Sequence, residues 1–134
     1  MRSVPMFEHM LVNSGVKLLK YYLDINKDEQ ARRLADRERD PLEQWKPSPI
    51  DAVAVKHWKA YSKARDAMQS GTHMAQAPWH IVRADSKRLA RLNLIRSILS
   101  RLDYAGKKSR LVDPGPHIAF TFTSDYINGR RLHR

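Results

Sequence analysis

The order of its short apolar runs constrains this chain more than any other feature. "VKLLKYYLDI" (16–25) and "WHIVRA" (79–84) carry the β-branched and aromatic content, and the near-alternation, of strands. For the first, a helix is the alternative. The stretches around them have helical periodicity, which gives the order helix, strand, helix, helix, strand, helix. That alternation predicts an α/β fold, with two parallel strands and flanking helices.

Local signals set the expected boundaries. Residues 5–14 read as a short helix with Phe7, Met10 and Leu11 on one face, ended by Gly15. A charge-dense helix over 27–39 stops at Asp40, because the residue before a proline is pushed out of the helical region. Ser48-Pro49-Ile50-Asp51 is a start signal: Ser48 caps, Pro49 suits the first helical position, and Asp51 closes a capping box. The helix it opens is expected to run to about Ser70 and end at Gly71. Its apolar stripe is Ala54, Val55, Trp58, Tyr61, Ala64 and Met68. A last helix over 87–102 is expected to turn Leu89, Leu92, Ile95, Ile98, Leu99 and Leu102 inward, with Asp85 as its N-cap. The tail 105–134 holds one alternating stretch, "IAFTFT", and has no place in the α/β pattern.

Composition narrows the function. There is no cysteine among the 134 residues, which removes disulfides, thiolate metal sites and thiol catalysis. No run is apolar enough to span a membrane, and the N-terminus has no signal-peptide pattern, so the expected location is cytoplasmic. A net charge of +11 points to an acidic partner, a polyanion or simply solubility. The excess lies in 83–110 and in the terminal "GRRLHR", whereas 27–40 is balanced. The six histidines show no metal-type spacing and carry no assigned chemistry.

The balanced helix has two interpretations. Composition alone favours a solvated face laced with i,i+4 pairs, Asp28 with Arg32 and Glu29 with Arg33. Against that, Arg33 and Arg37 sit one turn apart, mildly costly without an anion between them, and the arginine fork suits phosphate oxygens. Trp45, between the helix stop and the next cap, reads as an anchor at the base of a mobile flap. Trp58 and Trp79 read as core.

Four blocks in fixed order resemble the second half of the polyphosphate kinase 2 family. "VPMFEHMLVNSG" is similar to the helix before that family's fourth strand. "VKLLKYYLDINKDEQARRLADRERDPLEQWKPSPID" covers the strand and the lid. "HWKAYSKARDAM" is similar to the helix after the lid, and "APWHIVRADSKRLARLNLIRSILSRLDY" to the last strand and helix. The resemblance runs over about 4–104, so residues 1–104 are expected to form the C-terminal half of such a domain, with the lid at about 26–49. It implies a partial P-loop kinase-like (thymidylate kinase-like) three-layer fold and phosphoryl transfer between polyphosphate and a nucleotide with Mg²⁺. It also implies that Arg32, Arg33, Arg37 and Lys46 are the lid's phosphate-binding set, and that Asp85 and Lys87 are candidates on the nucleotide side.

The family's glycine-rich phosphate loop and its following aspartate and arginine motif do not occur here; the five glycines are scattered. A truncated form, inactive as a chain by itself, is the expectation, with no catalytic residue and no metal ligand assigned. A basic, non-specific nucleic-acid-binding module and an inert self-associating remnant are the alternatives. Loss of a neighbouring strand would bare one edge of "VKLLKYYLDI", so a homo-oligomer is expected through that edge, or else closure of it by the "IAFTFT" tail.

Overall fold

The computed structural model describes residues 3–42, 45 and 48–128. In chain order these form α1 (Ser3–Asn13), β1 (Lys20–Asp24), α2 (Lys27–Arg39), α3 (Pro49–Ala54), α4 (Trp58–Thr72), β2 (Trp79–Arg83) and α5 (Lys87–Ser100). A single 3₁₀ turn at Ser109–Leu111, β3 (Ala119–Thr121) and α6 (Ser124–Asn128) follow. β1 and β2 pair in parallel, from Lys20 opposite Trp79 to Asp24 opposite Arg83. The crossover between them carries α2, α3 and α4, the kind of long helical connection that a parallel pair requires.

The tail corrects the expected two-stranded sheet. β3 runs antiparallel to β2, with His80 opposite Thr121 and Val82 opposite Ala119, so the sheet is three-stranded and mixed in the order β1-β2-β3. Ala119 in it and Phe122 just after it are buried on opposite faces of the sheet, and Gly115 fixes its approach. The Gly115 amide donates to Asn93 Oδ1 on α5 at 2.7 Å, and a Cβ at this glycine would sit 3.3 Å from that oxygen. The tail therefore covers the edge of β2. Among the described residues β1 pairs only with β2.

Small residues make the core. On one side of the sheet Val82, Ala84, Ala90 and Ala119 pack with Tyr21, Ile25 and Leu94; on the other Ile81 and Phe122 pack with Tyr22, Trp79, Phe120, Tyr126 and Ile127. Ser97, on α5, takes the Tyr21 hydroxyl at 3.0 Å. His80 is buried against the Tyr21 ring and receives Arg101 Nε at 3.1 Å. Burial, with help from the Arg101 charge and then His73, pushes the imidazole down to about 4.

Both long helices, α4 and α5, present a different face from the one expected. In α5 the buried residues are Ala90, Asn93 and Ser97, while Leu89, Leu92 and Ile95 are 46%, 45% and 55% exposed. Small side chains let the helix approach the sheet closely, and the Asn93 bond fixes its rotation. Its cap is Ser86, which accepts from the Leu89 amide, and not Asp85. The helix opened by the capping box at Ser48 and Asp51 breaks after Ala54 and restarts at Trp58, with His57 off helical geometry between.

In α4 the buried residues are Ser62, Arg65, Gln69 and Thr72, not the apolar stripe. β1 explains this, because it presents Lys20, Tyr22 and Asp24 on one face by strand alternation. Lys20 Nζ donates to Thr72 O and to Glu8 of α1 (2.7 Å). Arg65 lies over the Tyr22 ring, and its Nη1 is 3.5 Å from the Asp24 carboxylate, which is 1% exposed. A polar strand face selects a polar helix face. Gly71 stays helical inside α4, which ends one residue later at Thr72.

Candidate functional site: an arginine-lined groove

The two parallel strands end at the same level, and their C-terminal ends are tied together. The Ala84 amide donates to Asp24 O at 2.7 Å, and the Asn26 amide to Asp85 Oδ1 at 2.8 Å. Asn26 in turn caps α2 by accepting from the Glu29 amide at 2.7 Å. The charged helix thus starts directly above the carboxyl ends of the strands, where open α/β sheets place their ligands.

A groove of about 400 Å³ lies there, lined by Glu29, Arg32, Arg33, Asp36, Arg37, Asp85 and Lys87. It brings together Arg32, Arg33 and Arg37 from α2 with Asp85 from the turn before α5 and Lys87 at the start of α5. Lys46 lies outside the described residues. Trp45 is 78% exposed, and its indole Nε1 donates to Leu42 O at 2.8 Å. Its ring is therefore not buried under the flap.

Each arginine is held differently. The Arg33 side chain is 19% exposed; Nε reaches Glu29 Oε1 at 2.7 Å, and Nη2 donates to Ala84 O and, at 3.0 Å, to Asp85 O. It ties the helix to the end of β2. Arg32, at 59%, does not take the expected Asp28; it pairs with Glu29 at 2.7 Å and Asp36 at 2.6 Å. Arg37 reaches Asp51 Oδ2 at 3.1 Å, the same oxygen that accepts from the Ser48 amide in the capping box. Hydrogen bonds from Arg32 and then Arg33 hold the Glu29 carboxyl down at about 2. Four cations thus share the groove with three carboxylates, and the exposed Arg32 pairs are the kind that an incoming oxyanion can replace.

The residues do not fit Mg²⁺. Glu29 and Asp36 are bonded to arginines, and among the described residues no three His, Cys, Asp or Glu side chains converge. The groove can bind and orient phosphate oxygens; it presents no nucleophile with an adjacent base.

The sequence from 1 to 110 matches the family model "Polyphosphate kinase 2 (PPK2)". The chain belongs to the polyphosphate kinase 2 family. It is 43% identical to "NDP-polyphosphate phosphotransferase 2" of Ruegeria pomeroyi over 99% of this chain and 40% of that protein. It is 48% identical to "ADP-polyphosphate phosphotransferase" of Pseudomonas aeruginosa over 77% of this chain and 34% of that protein. The crystal structure of polyphosphate kinase 2 from Arthrobacter aurescens TC1 superposes with a TM-score of 0.64 and 37% identity, covering 67% of this chain and 32% of that one. The sequence spans well under half the length of these relatives.

Sequence reasoning paired Glu29 with Arg33 and did not single out Gln30 or Arg65. Glu29 was visible as a partner of Arg33, but its second bond to Arg32 depends on rotamers. Gln30 had a legible signal, one turn before Arg33 on the same helix face.

Proposed function

We propose that this chain is the lid-bearing part of a polyphosphate:nucleotide phosphotransferase, and that its groove grips the phosphate chain. The observation that carries this is the gathering of Arg32, Arg33, Arg37 and Lys87 around one groove at the carboxyl ends of parallel strands. In such a transfer the protein's contribution is positioning and charge neutralisation in line between donor and acceptor. Closing α2 over the ligand would exclude water, the competing acceptor. The glycine-rich cradle that the family resemblance calls for is not in this sequence, so the chain by itself binds without turning over. The names of the relatives support nucleoside diphosphates as the second ligand. Self-association through the open edge of β1 and a cytoplasmic setting belong to the same proposal. Among the described residues no helix is long and apolar enough to cross a membrane.

Competition separates this from general polyanion binding. Long-chain polyphosphate and duplex DNA of matched charge are titrated against the chain and against Arg32→Ala with Lys87→Ala. Preference for polyphosphate, with a shallower salt dependence in the double variant, is the expected outcome. Equal affinity for DNA, or an unchanged salt slope, would sink it.

A further inference from the structure

An apolar cavity lies at the amino ends of β1 and β2, the end of the sheet opposite the groove. It measures about 380 Å³, within the range of small-molecule sites, and Val12, Val16, Leu18 and Pro78 are among its walls. Lys17, His80 and Arg101 line it too. The Arg101 guanidinium, at the C-cap of α5, has only neutral partners among the described residues. Nη1 donates to Ser97 O and Ser97 Oγ, both at 2.7 Å, and so closes the end of its own helix. Nε donates to His80 Nε2 at 3.1 Å, and Nη2 stands 3.2 Å from His80 Nδ1. A neutral imidazole has one acceptor nitrogen and one N–H, so it cannot accept both. With Nε2 accepting, Nδ1 carries the proton, for which Thr121 Oγ1 lies 3.4 Å away, and Nη2 is left without an acceptor.

Positive charge accumulates at the same place. Lys17 Nζ donates to Arg101 O at 2.9 Å, and Lys107 Nζ to Ser100 O at 2.7 Å and Leu102 O at 2.9 Å. These carbonyls form the negative end of α5, equivalent to about half a charge. Asp103, 96% exposed and 3.9 Å from Lys17, is the one carboxylate paired with these three cations among the described residues. The helix end therefore keeps a positive surplus beside apolar walls.

We propose that this cavity binds a small monocarboxylate with an apolar body, in the size class of a medium-chain fatty acid or an aromatic acid. The carboxylate gives Arg101 Nη2 its missing acceptor and shares Lys17; the hydrocarbon displaces water from Val12, Val16, Leu18 and Pro78. Polyphosphate is the wrong ligand here. A strongly hydrated polyanion gains nothing from apolar walls, and one free donor edge with one lysine suits a single oxyanion. The groove, with four cations in its lining, has the reverse preference. Five strand residues, roughly 16 Å, separate the two sites, so both can be filled at once. The carboxylate site does not depend on the function proposed for the groove.

The test uses the full chain, ¹⁵N-labelled, with the backbone amides of Val16, Lys17 and His80 as local reporters. Octanoate is the probe; octanol has the same body without the charge, and inorganic phosphate the charge without the body. The expected result is saturable movement of all three amides below millimolar octanoate, with octanol at least about tenfold weaker and phosphate without effect on them. Arg101→Gln should weaken octanoate binding about tenfold. Because Arg101 also caps α5, Val16→Glu serves as a second variant. Val16 is 46% exposed, and the new carboxylate repels the ligand from the wall, so binding should fall at least as far while Tm holds. Unmoved amides at millimolar octanoate overturn the proposal. So does octanol binding as tightly as octanoate, which would leave the cations no role, or phosphate moving the same amides, which would leave the apolar walls none. Undiminished octanoate binding by Val16→Glu overturns it as well, whether or not Arg101→Gln folds.

Discussion

Two neighbouring arginines on α2 should respond differently to the same substitution. Arg33 makes a charge-assisted bond to Glu29 and two bonds to the carbonyl oxygens of Ala84 and Asp85, with its side chain 19% exposed. Arg33→Ala removes the link between α2 and the end of β2. Hydrogen bonds from charged donors contribute about 1.5–3 kcal/mol, and the released carbonyls regain some water, so a net loss of about 2 kcal/mol is expected. Arg32 is more than half exposed and bonds only carboxylates on its own helix, so Arg32→Ala should cost about 0.5 kcal/mol or less. Arg33→Lys should recover little, because an ammonium cannot reach Glu29 and two carbonyls in one plane. Urea unfolding followed by circular dichroism gives these values, and polyphosphate titration at two salt concentrations gives the binding side. Arg32→Ala should weaken binding while stability holds; Arg33→Ala should weaken both. Equal stability losses for the two alanine variants would refute the assignment of Arg33 as the tie between flap and sheet.

The purified chain should not phosphorylate ADP or GDP from polyphosphate with Mg²⁺; turnover above a mock preparation, abolished by Arg33→Ala, would overturn that. His80 titrates at about 4 when folded and near its ordinary value of 6.5 when unfolded, so the unfolded chain binds the proton first as pH falls. Stability is therefore full above pH 6.5 and is lost on the way down to 4; unfolding at pH 7 and pH 5 should differ by about 1–2 kcal/mol, and His80→Gln should flatten that slope. Glu29, held at about 2, works at lower pH: its contribution is present above about 4.5 and fades as pH falls towards 2, which salt-dependent binding at pH 3 would register. Light scattering coupled to size exclusion at micromolar concentration should find a dimer; a well-folded monomer would remove the open-edge proposal.

Local chemistry was legible in the sequence, and packing direction was not. The 27–39 helix, its stop at Asp40 and the Ser48–Asp51 capping box are formed by residues within a few positions of one another, and the structure contains all three. The inner faces of α4 and α5 were misjudged because apolar periodicity assumes a greasy partner. Here β1 offers Lys20, Tyr22 and Asp24, and the helix turns Ser62, Arg65 and Gln69 to meet them; Gln69 is 0% exposed with both amide atoms unpaired. The alternation in "IAFTFT" identified a strand, but nothing local to it says which edge it joins. That choice is made by Asn93 holding Gly115, a contact spanning 22 positions. In the groove, residue types and spacing drew notice to the arginines. That Gln30 Oε1 and Trp58 Nε1 are buried without a protein partner left no trace in the sequence, because lacking a partner is a property of the folded surroundings.

The two margins of the sheet are unequal. On the edge away from β2, β1 offers five residues with no strand beside them among the described residues, whereas β3 is three residues long and preceded by Pro116. Growth of a fibre by strand addition needs two receptive margins on every molecule, one to accept and one to offer. A short strand behind a proline is a poor template, so a chain that pairs through β1 has used its one receptive side. If self-association runs through β1 as proposed, addition at that margin would end at two copies with a two-fold axis and would not propagate into a filament. The short tail strand would then act as a chain terminator for that assembly, at the margin of the sheet opposite the open edge of β1.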